Sequence, residues 1–597
     1  MNCLFPVLFA TAKRSGRRLI ARPTGTHSNL SKSLLLNLSL WLLPAVLTAT
    51  PTLAAEKIYA SYAVLERSIS ISALEAFAKE GKIDEDLAVY AQYVPPEQLQ
   101  QLREILLTRA DLTPVTISQF LYTQQGETLV ERLGQVIQTG ARQEGPFAIR
   151  SALILAAADP EGLTLLNVLR KFPTDSIRID LQSVQRIARQ LQQAINQTNQ
   201  AIALVDGLST TEAASQPGFG GIPVASNPTS SELPVALGGQ LNLWRTGPFT
   251  SEVKSIEITI RNAQIPTAIT DERIFPVDIY LPQQPTRQAA PVIVISHGLG
   301  SDRKTFRYLA EHLASYGFVV AVPQHPGSDA RQLQALLSGT ASDVAEPTEF
   351  VYRPLDVKYL LDTLTQLEKT DPQLQGRLNL QQVGVLGQSF GGYTSLALAG
   401  APINFNQLRQ ECPNSDGSWN ISLLLQCRAA ELPDAVQYDL SDERVKAVIA
   451  INPVNSSVLG SESLSKIQVP VMLVAGSADT AAPALPEQIQ PFTWLTAPEK
   501  YLVVMNGGTH FSTLAEADGG GGVVAIPSDV IGPTPGQARR YISALSLAFF
   551  KTHIAGDPQY RPYLRASYAE AISREPLSLS LIESLTETQL NEALQRR

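Results

Sequence analysis

The stretch "VGVLGQSFGGYTSLALAG", Val383 to Gly400, begins with the apolar character of a strand and ends with that of a helix. A serine stands at the join, inside Gly387-Gln388-Ser389-Phe390-Gly391. Glycines on both sides leave room for a sharp, strained turn in which side chains would collide. Gly392 lets the following helix pack close. A serine at such a turn is a candidate nucleophile. Its hydroxyl is weak at neutral pH, however, so the chain must also supply a base, a carboxylate to orient that base, and N–H donors for an oxyanion.

The sequence holds six histidines. His27 lies near the start, His312 inside a helical stretch and His553 close to the end of the last long helical stretch. His297 and His325 end earlier strands and can line a site, but both precede the serine. His510 is the base candidate, two residues past Gly507-Gly508 in "VVMNGGTHFS". Asp479 is the orienting acid, directly after the strand-like "VPVMLVAGSAD". The preceding strand ends in "VIAINPVN", which offers Asn452 and no carboxylate. The order is therefore serine, acid, histidine, each at a strand end. The oxyanion donors expected are the backbone N–H groups of Phe390 and of Leu299, the latter in "ISHGLGSDRKTF". A turn serine, a structural histidine or a solvated aspartate is each common alone; their combination in this order is what points to chemistry.

The surrounding chain reads as five parts. Residues 1–55 carry Lys13-Arg14 and Arg17-Arg18, then "LLLNLSLWLLPAVLTAT", then small residues at Thr52 and Ala54. That order is the pattern of a signal peptide, cleaved near Ala54; an uncleaved membrane anchor is the alternative. Residues 56–205 read as a small all-α domain, with Ser72 and Glu75 at capping-box spacing and a stop at Gly81. Residues 206–247, rich in Gly, Ser, Pro and Thr, read as a flexible linker. From 248 to 555 strand and helix patterns alternate, with β-branched apolar runs as in strands buried on both faces. A long interruption at 401–443 falls where a lid would sit, and holds Cys412 and Cys427, either a disulfide or two free buried thiols. Residues 556–597 form a short tail, read as small helices.

Residues 248–555 resemble the α/β hydrolase superfamily. "HGLGSDRKTFRYLAEHLASYGFVVAVPQHPGSD" and "GQSFGGYTSLALAG" are similar to the platelet-activating-factor acetylhydrolase and dienelactone-hydrolase-like group, and "AGSADTAAP" and "GGTHFST" to cutinase-like polyesterases and lipases. The segment before the linker resembles a domain family of unknown function fused to such hydrolases. The resemblance implies an α/β hydrolase fold with a mostly parallel eight-strand sheet and a lid insertion. It also implies a triad of Ser389, Asp479 and His510. The sequence departs from the acetylhydrolases at Asn452, where those enzymes place their acid, and in the 401–443 insertion.

Composition narrows the function. The net charge is −8 and no dense basic stripe follows a phosphate backbone, which argues against nucleic acid. No CxxC or Cys/His cluster suggests a metal, and serine acyl transfer needs no cofactor. The expectation is an exported serine hydrolase cleaving lipidic or otherwise apolar esters, periplasmic or secreted, with peripheral membrane contact left open. Its rivals are a peptidase or thioesterase on the same fold, and an inactive hydrolase-fold scaffold.

Overall fold

The segment read as wholly helical contains a small sheet. The computed structural model describes residues 54–62, 65–110, 112–217, 242–261, 272–283, 289–515 and 528–595. The expected signal peptide lies almost entirely outside them. These residues fall into two compact units, one of 54–112 and 134–180, the other of 113–133 and 181–595.

In the smaller unit, β1 (Lys57–Tyr62), β2 (Leu65–Ser70), β3 (Ile137–Thr139) and β4 (Ser176–Asp180) pair in the order β2-β1-β4-β3. The expectation of an all-α domain is corrected here. These strands are short, and most of their residues are exposed or half-buried, so they lack the apolar runs that reveal a strand in sequence. Five helices accompany the sheet: Ile71–Glu80, Glu85–Ala91, Pro96–Leu107, Pro146–Ala158 and Leu165–Arg170. The first begins earlier than its capping-box spacing suggested. Ser70 is the cap, its hydroxyl accepting from Ala73 N–H, and Gly81 closes the helix at φ 73°. Leu74, Phe77, Leu87, Leu106 and Leu166 form its core.

The larger unit is built on a nine-stranded sheet: β5 (Ser251–Arg261), β6 (Glu272–Pro282), β7 (Ala290–Ser296), β8 (Val319–Pro323), β9 (Leu378–Gln388), β10 (Val445–Ile451), β11 (Val471–Gly476), β12 (Lys500–Met505) and β13 (Leu579–Ile582). Their order is β13-β12-β11-β10-β9-β7-β8-β6-β5. The six strands β7 to β12 run parallel, and β5, β6 and β13 are antiparallel to their neighbours. Along β7, Val292 and Val294 face one apolar layer and Ile293 and Ile295 the other. Helices Glu349–Thr370 and Phe390–Leu398 supply the first layer, and Arg307–Ser315 and Pro535–His553 the second. Chain order reverses at β7, whose neighbours are β8 on one side and β9 on the other. In such sheets the crevice beyond the carboxyl ends at the reversal is where sites form.

Three boundaries differ from the sequence reading. The tail contributes β13, the ninth strand, paired with β12 through Leu502↔Ile582. The linker starts later than 206, because one helix runs from Leu181 to Ser215. Val205, Ser209 and Ala213 recur every fourth residue on its buried side, a helical spacing hidden by small and polar residue types. Asp206 on that helix accepts from Asn506 Nδ2 and from Ser580 Oγ at 2.6 Å. Finally, helices Pro114–Leu121 and Gln124–Gly134 belong with the larger unit. Thr116 Oγ1 donates to Leu337 O at 2.7 Å, and Gln125 Nε2 to Leu424 O at 3.3 Å.

Candidate active site

Ser389 follows β9 and starts the helix Phe390–Leu398, with φ 57° and ψ −118°. A positive φ at a serine is strained, at roughly 1–3 kcal/mol, and such strain gathers at functional sites. The site holds the turn from both sides. Ser389 N–H donates to Ile451 O, the last residue of β10, at 2.8 Å. A Cβ on Gly387 would lie 1.9 Å from Gly391 O, and one on Gly391 would lie 2.0 Å from Ser296 O. Only glycine fits at both positions.

The loop after β7 runs alongside. A Cβ on Gly298 would lie 3.3 Å from Ser389 Cβ, so Gly298 is a direct neighbour of the serine. Leu299 follows it. Among the described residues, neither the Leu299 nor the Phe390 N–H has an internal acceptor. For Phe390 this follows from its place in the first helical turn.

His510 and Asp479 meet from separate strand ends. His510 Nδ1 and Asp479 Oδ2 are 2.8 Å apart, and the carboxylate is shielded from solvent. Asp479 Oδ1 accepts from the N–H groups of Ala481 and Ala482, both at 2.8 Å. Asn452 Nδ2 donates to Asp479 Oδ2 at 2.7 Å. Gln388, the residue before the serine, donates from Nε2 to His510 O at 3.1 Å. The structure therefore gathers all five sequence-selected positions at neighbouring strand ends of one sheet. With Nδ1 engaged by the carboxylate, Nε2 is the ring nitrogen left for a serine proton.

The fold is that of the α/β hydrolases, and the comparisons with known proteins agree with it. The model of an α/β hydrolase family of unknown function (DUF1400) matches residues 54–180, and that of platelet-activating factor acetylhydrolase, isoform II, matches 263–358. A platelet-activating factor acetylhydrolase of Cavia porcellus is 26% identical over 137 residues, 18% of this chain and 31% of its own. Cutinase 2 of Thermobifida cellulosilytica is 22% identical over 294 residues, 48% of this chain and 76% of its own. The chain thus spans about a third of the acetylhydrolase and three quarters of the cutinase.

The fold carries a buried charged layer beneath Ser389 that the sequence reading missed. Arg353, fully buried on helix Glu349–Thr370, donates to His297 O and to Ser328 Oγ, and its guanidinium lies 4.7 Å over the Phe390 ring. His297 Nε2 accepts from His325 N–H at 3.0 Å, which leaves Nδ1 as the donor to Gly298 O at 2.8 Å. His325 in turn bridges Ser296 Oγ at 2.9 Å and Asp356 Oδ2 at 2.8 Å, and Arg273 pairs with both Asp356 and Glu349. Burial first, and then the Arg353 charge, hold both histidines well below their usual range, so both stay neutral. Neither can act on substrate from there; they fix the loop carrying Leu299. The available signal was Glu349, Arg353 and Asp356 at helical spacing, interleaved with Phe350, Val351, Leu355 and Val357.

The 401–443 insertion is pinned rather than loose. Cys412 and Cys427 form a disulfide. Glu487, fully buried just beyond the Asp479 loop, accepts from Ser422 Oγ at 2.8 Å and Gln426 Nε2 at 2.9 Å in the insertion. It also accepts from Asn455 N–H at 2.7 Å and Ser456 N–H at 3.0 Å after β10. A cleft of about 410 Å³ lies between this insertion and helix Gln124–Gly134, but its lining includes none of Ser389, Asp479 or His510. Among the described residues, no group of acidic, cysteine or histidine side chains forms a metal site, and no helix is long and apolar enough to cross a membrane.

Proposed function

We propose that this chain is an exported serine esterase that cleaves lipidic or otherwise apolar carboxylic esters through Ser389, Asp479 and His510. Ser389 Oγ attacks the ester carbonyl while its proton passes to His510 Nε2. The tetrahedral oxyanion lies against the N–H groups of Leu299 and Phe390, where losing one such donor typically costs 10²–10³-fold. Asp479 holds the ring and stabilises the imidazolium. On collapse His510 protonates the departing alkoxide, leaving an acyl-serine. Water, deprotonated by His510, then releases the acid and restores the serine.

The single observation that carries the reading is the Asp479–His510 pair, tied through His510 O to Gln388, the residue before a serine held at positive φ between two obligatory glycines. The names of the two relatives, an acetylhydrolase and a cutinase, agree with ester cleavage. The disulfide suits an oxidising compartment and so agrees with export.

The test uses a fluorophosphonate probe and a series of p-nitrophenyl esters. Labelling of wild type, absent in Ser389→Ala, together with loss of turnover in that variant, is the expected result. An unlabelled native protein, or a Ser389→Ala variant that retains turnover, would defeat the proposal.

A further inference from the structure

Asn452 occupies the strand end next to the acid. It follows β10, has φ 44°, is 1% exposed, and is anchored by its N–H to Val474 O at 2.8 Å. Asparagine tolerates this left-handed conformation better than most residues. The conformation aims its side chain at Asp479, where Nδ2 reaches Oδ2 at 2.7 Å, the same oxygen that faces His510.

An ionised carboxylate offers about four acceptor positions. At Asp479 four donors are in place: Ala481 and Ala482 N–H on Oδ1, and Asn452 and His510 on Oδ2. Without Asn452, Oδ2 would be held by His510 alone, and only the two N–H bonds at Oδ1 would resist rotation of the carboxylate. A donated bond to a charged acceptor in a buried site is among the stronger ones. An amide neither gains nor loses a proton in the working pH range. It can therefore fix the carboxylate without competing for the His510 proton.

We propose that Asn452 is a positioning residue, which locks Asp479 Oδ2 toward His510 by donating to it from a site where a second carboxylate would repel it. The proposal rests on the Ser389–Asp479–His510 reading. It concerns how that acid is held, and nothing in the sequence motifs assigns Asn452 a part.

The test compares wild type with Asn452→Gly and Asn452→Asp in the full chain. Turnover is counted per fluorophosphonate-titrated site, so unfolded protein does not enter. Glycine keeps the positive φ and removes the donor. Its kcat should fall about 10–100-fold, the range for a hydrogen bond to a charged group, with KM within twofold. Aspartic acid restores the donor only while protonated. Asn452→Asp should therefore exceed Asn452→Gly at least fivefold at the acid end of the kcat profile, and the advantage should fade as pH rises. Asn452→Gly within twofold of wild type, or two variants with parallel pH profiles, would overturn the inference. Failure of the underlying reading looks different: wild type would not label, or Ser389→Ala would still turn over.

Discussion

Gly391→Ala tests the turn at Ser389 most directly. A Cβ there would lie 2.0 Å from Ser296 O, 2.7 Å from Ser296 C and 2.9 Å from His297 O, all backbone atoms, whereas ordinary contact begins at 3.4 Å. The closest pair must therefore open by about 1.4 Å. The β7 side cannot yield easily, because Ser296 sits in register with Gly387 of β9 and the His297 carbonyl is held by buried Arg353. The displacement falls on the serine turn and separates Ser389 from the Leu299 loop. Misplacement by about 1 Å costs on the order of 10²-fold in rate, and overpacking typically costs about 1–3 kcal/mol of stability. The expected outcome is a kcat about a hundredfold lower per titrated site, with a lowered melting temperature. Gly536→Ala is the control, since its Cβ would meet only Arg539 Nη2 at 3.8 Å, and it should leave kcat unchanged without lowering the melting temperature. A Gly391→Ala enzyme within threefold of wild-type kcat would refute the packing argument.

Reducing the Cys412–Cys427 bond, or replacing both with serine, should destabilise the insertion by about 3 kcal/mol, the entropy of a loop of this length; equal melting curves with and without reductant would contradict this. Stability should also fall on acidification below about pH 6.5. Burial holds His312 down at about 4, and burial followed by the Arg353 charge holds His297 and His325 well below 6.5, so the unfolded chain binds protons that the folded one refuses. That stability is complete above about pH 6.5 and is lost downward from there, by up to about 1.4 kcal/mol per pH unit for each histidine. Urea midpoints that stay level between pH 7.5 and 5.5 would contradict it.

Much of the site was legible because its signals are local. Ser389, Asp479 and His510 each follow a β-branched apolar run, and a parallel strand buried on both faces announces itself that way. Where burial is one-sided or brief the signal fails. The strands Lys57–Tyr62 and Leu65–Ser70 mix polar and apolar residues, and read as part of a helical region. The strand Leu579–Ile582 is only four residues long and gains its identity from pairing with β12. The helix Leu181–Ser215 continues through "DGLSTTEAAS" because its contacts with the sheet edge, not its composition, hold it there.

The sequence by itself determined the order of Ser389, Asp479 and His510 at successive strand ends, and the glycines that permit the turn at Ser389. These depend on backbone sterics and on strand periodicity, which neighbouring residues encode. Only the tertiary structure decided what surrounds them. Arg353, His325 and Asp356 beneath the Leu299 loop, Glu487 tying down the insertion and Asn452 on the acid are brought together by strand order, not by spacing. Whether a buried polar group is satisfied depends on partners far along the chain, and those partners become neighbours only when the sheet closes around β7.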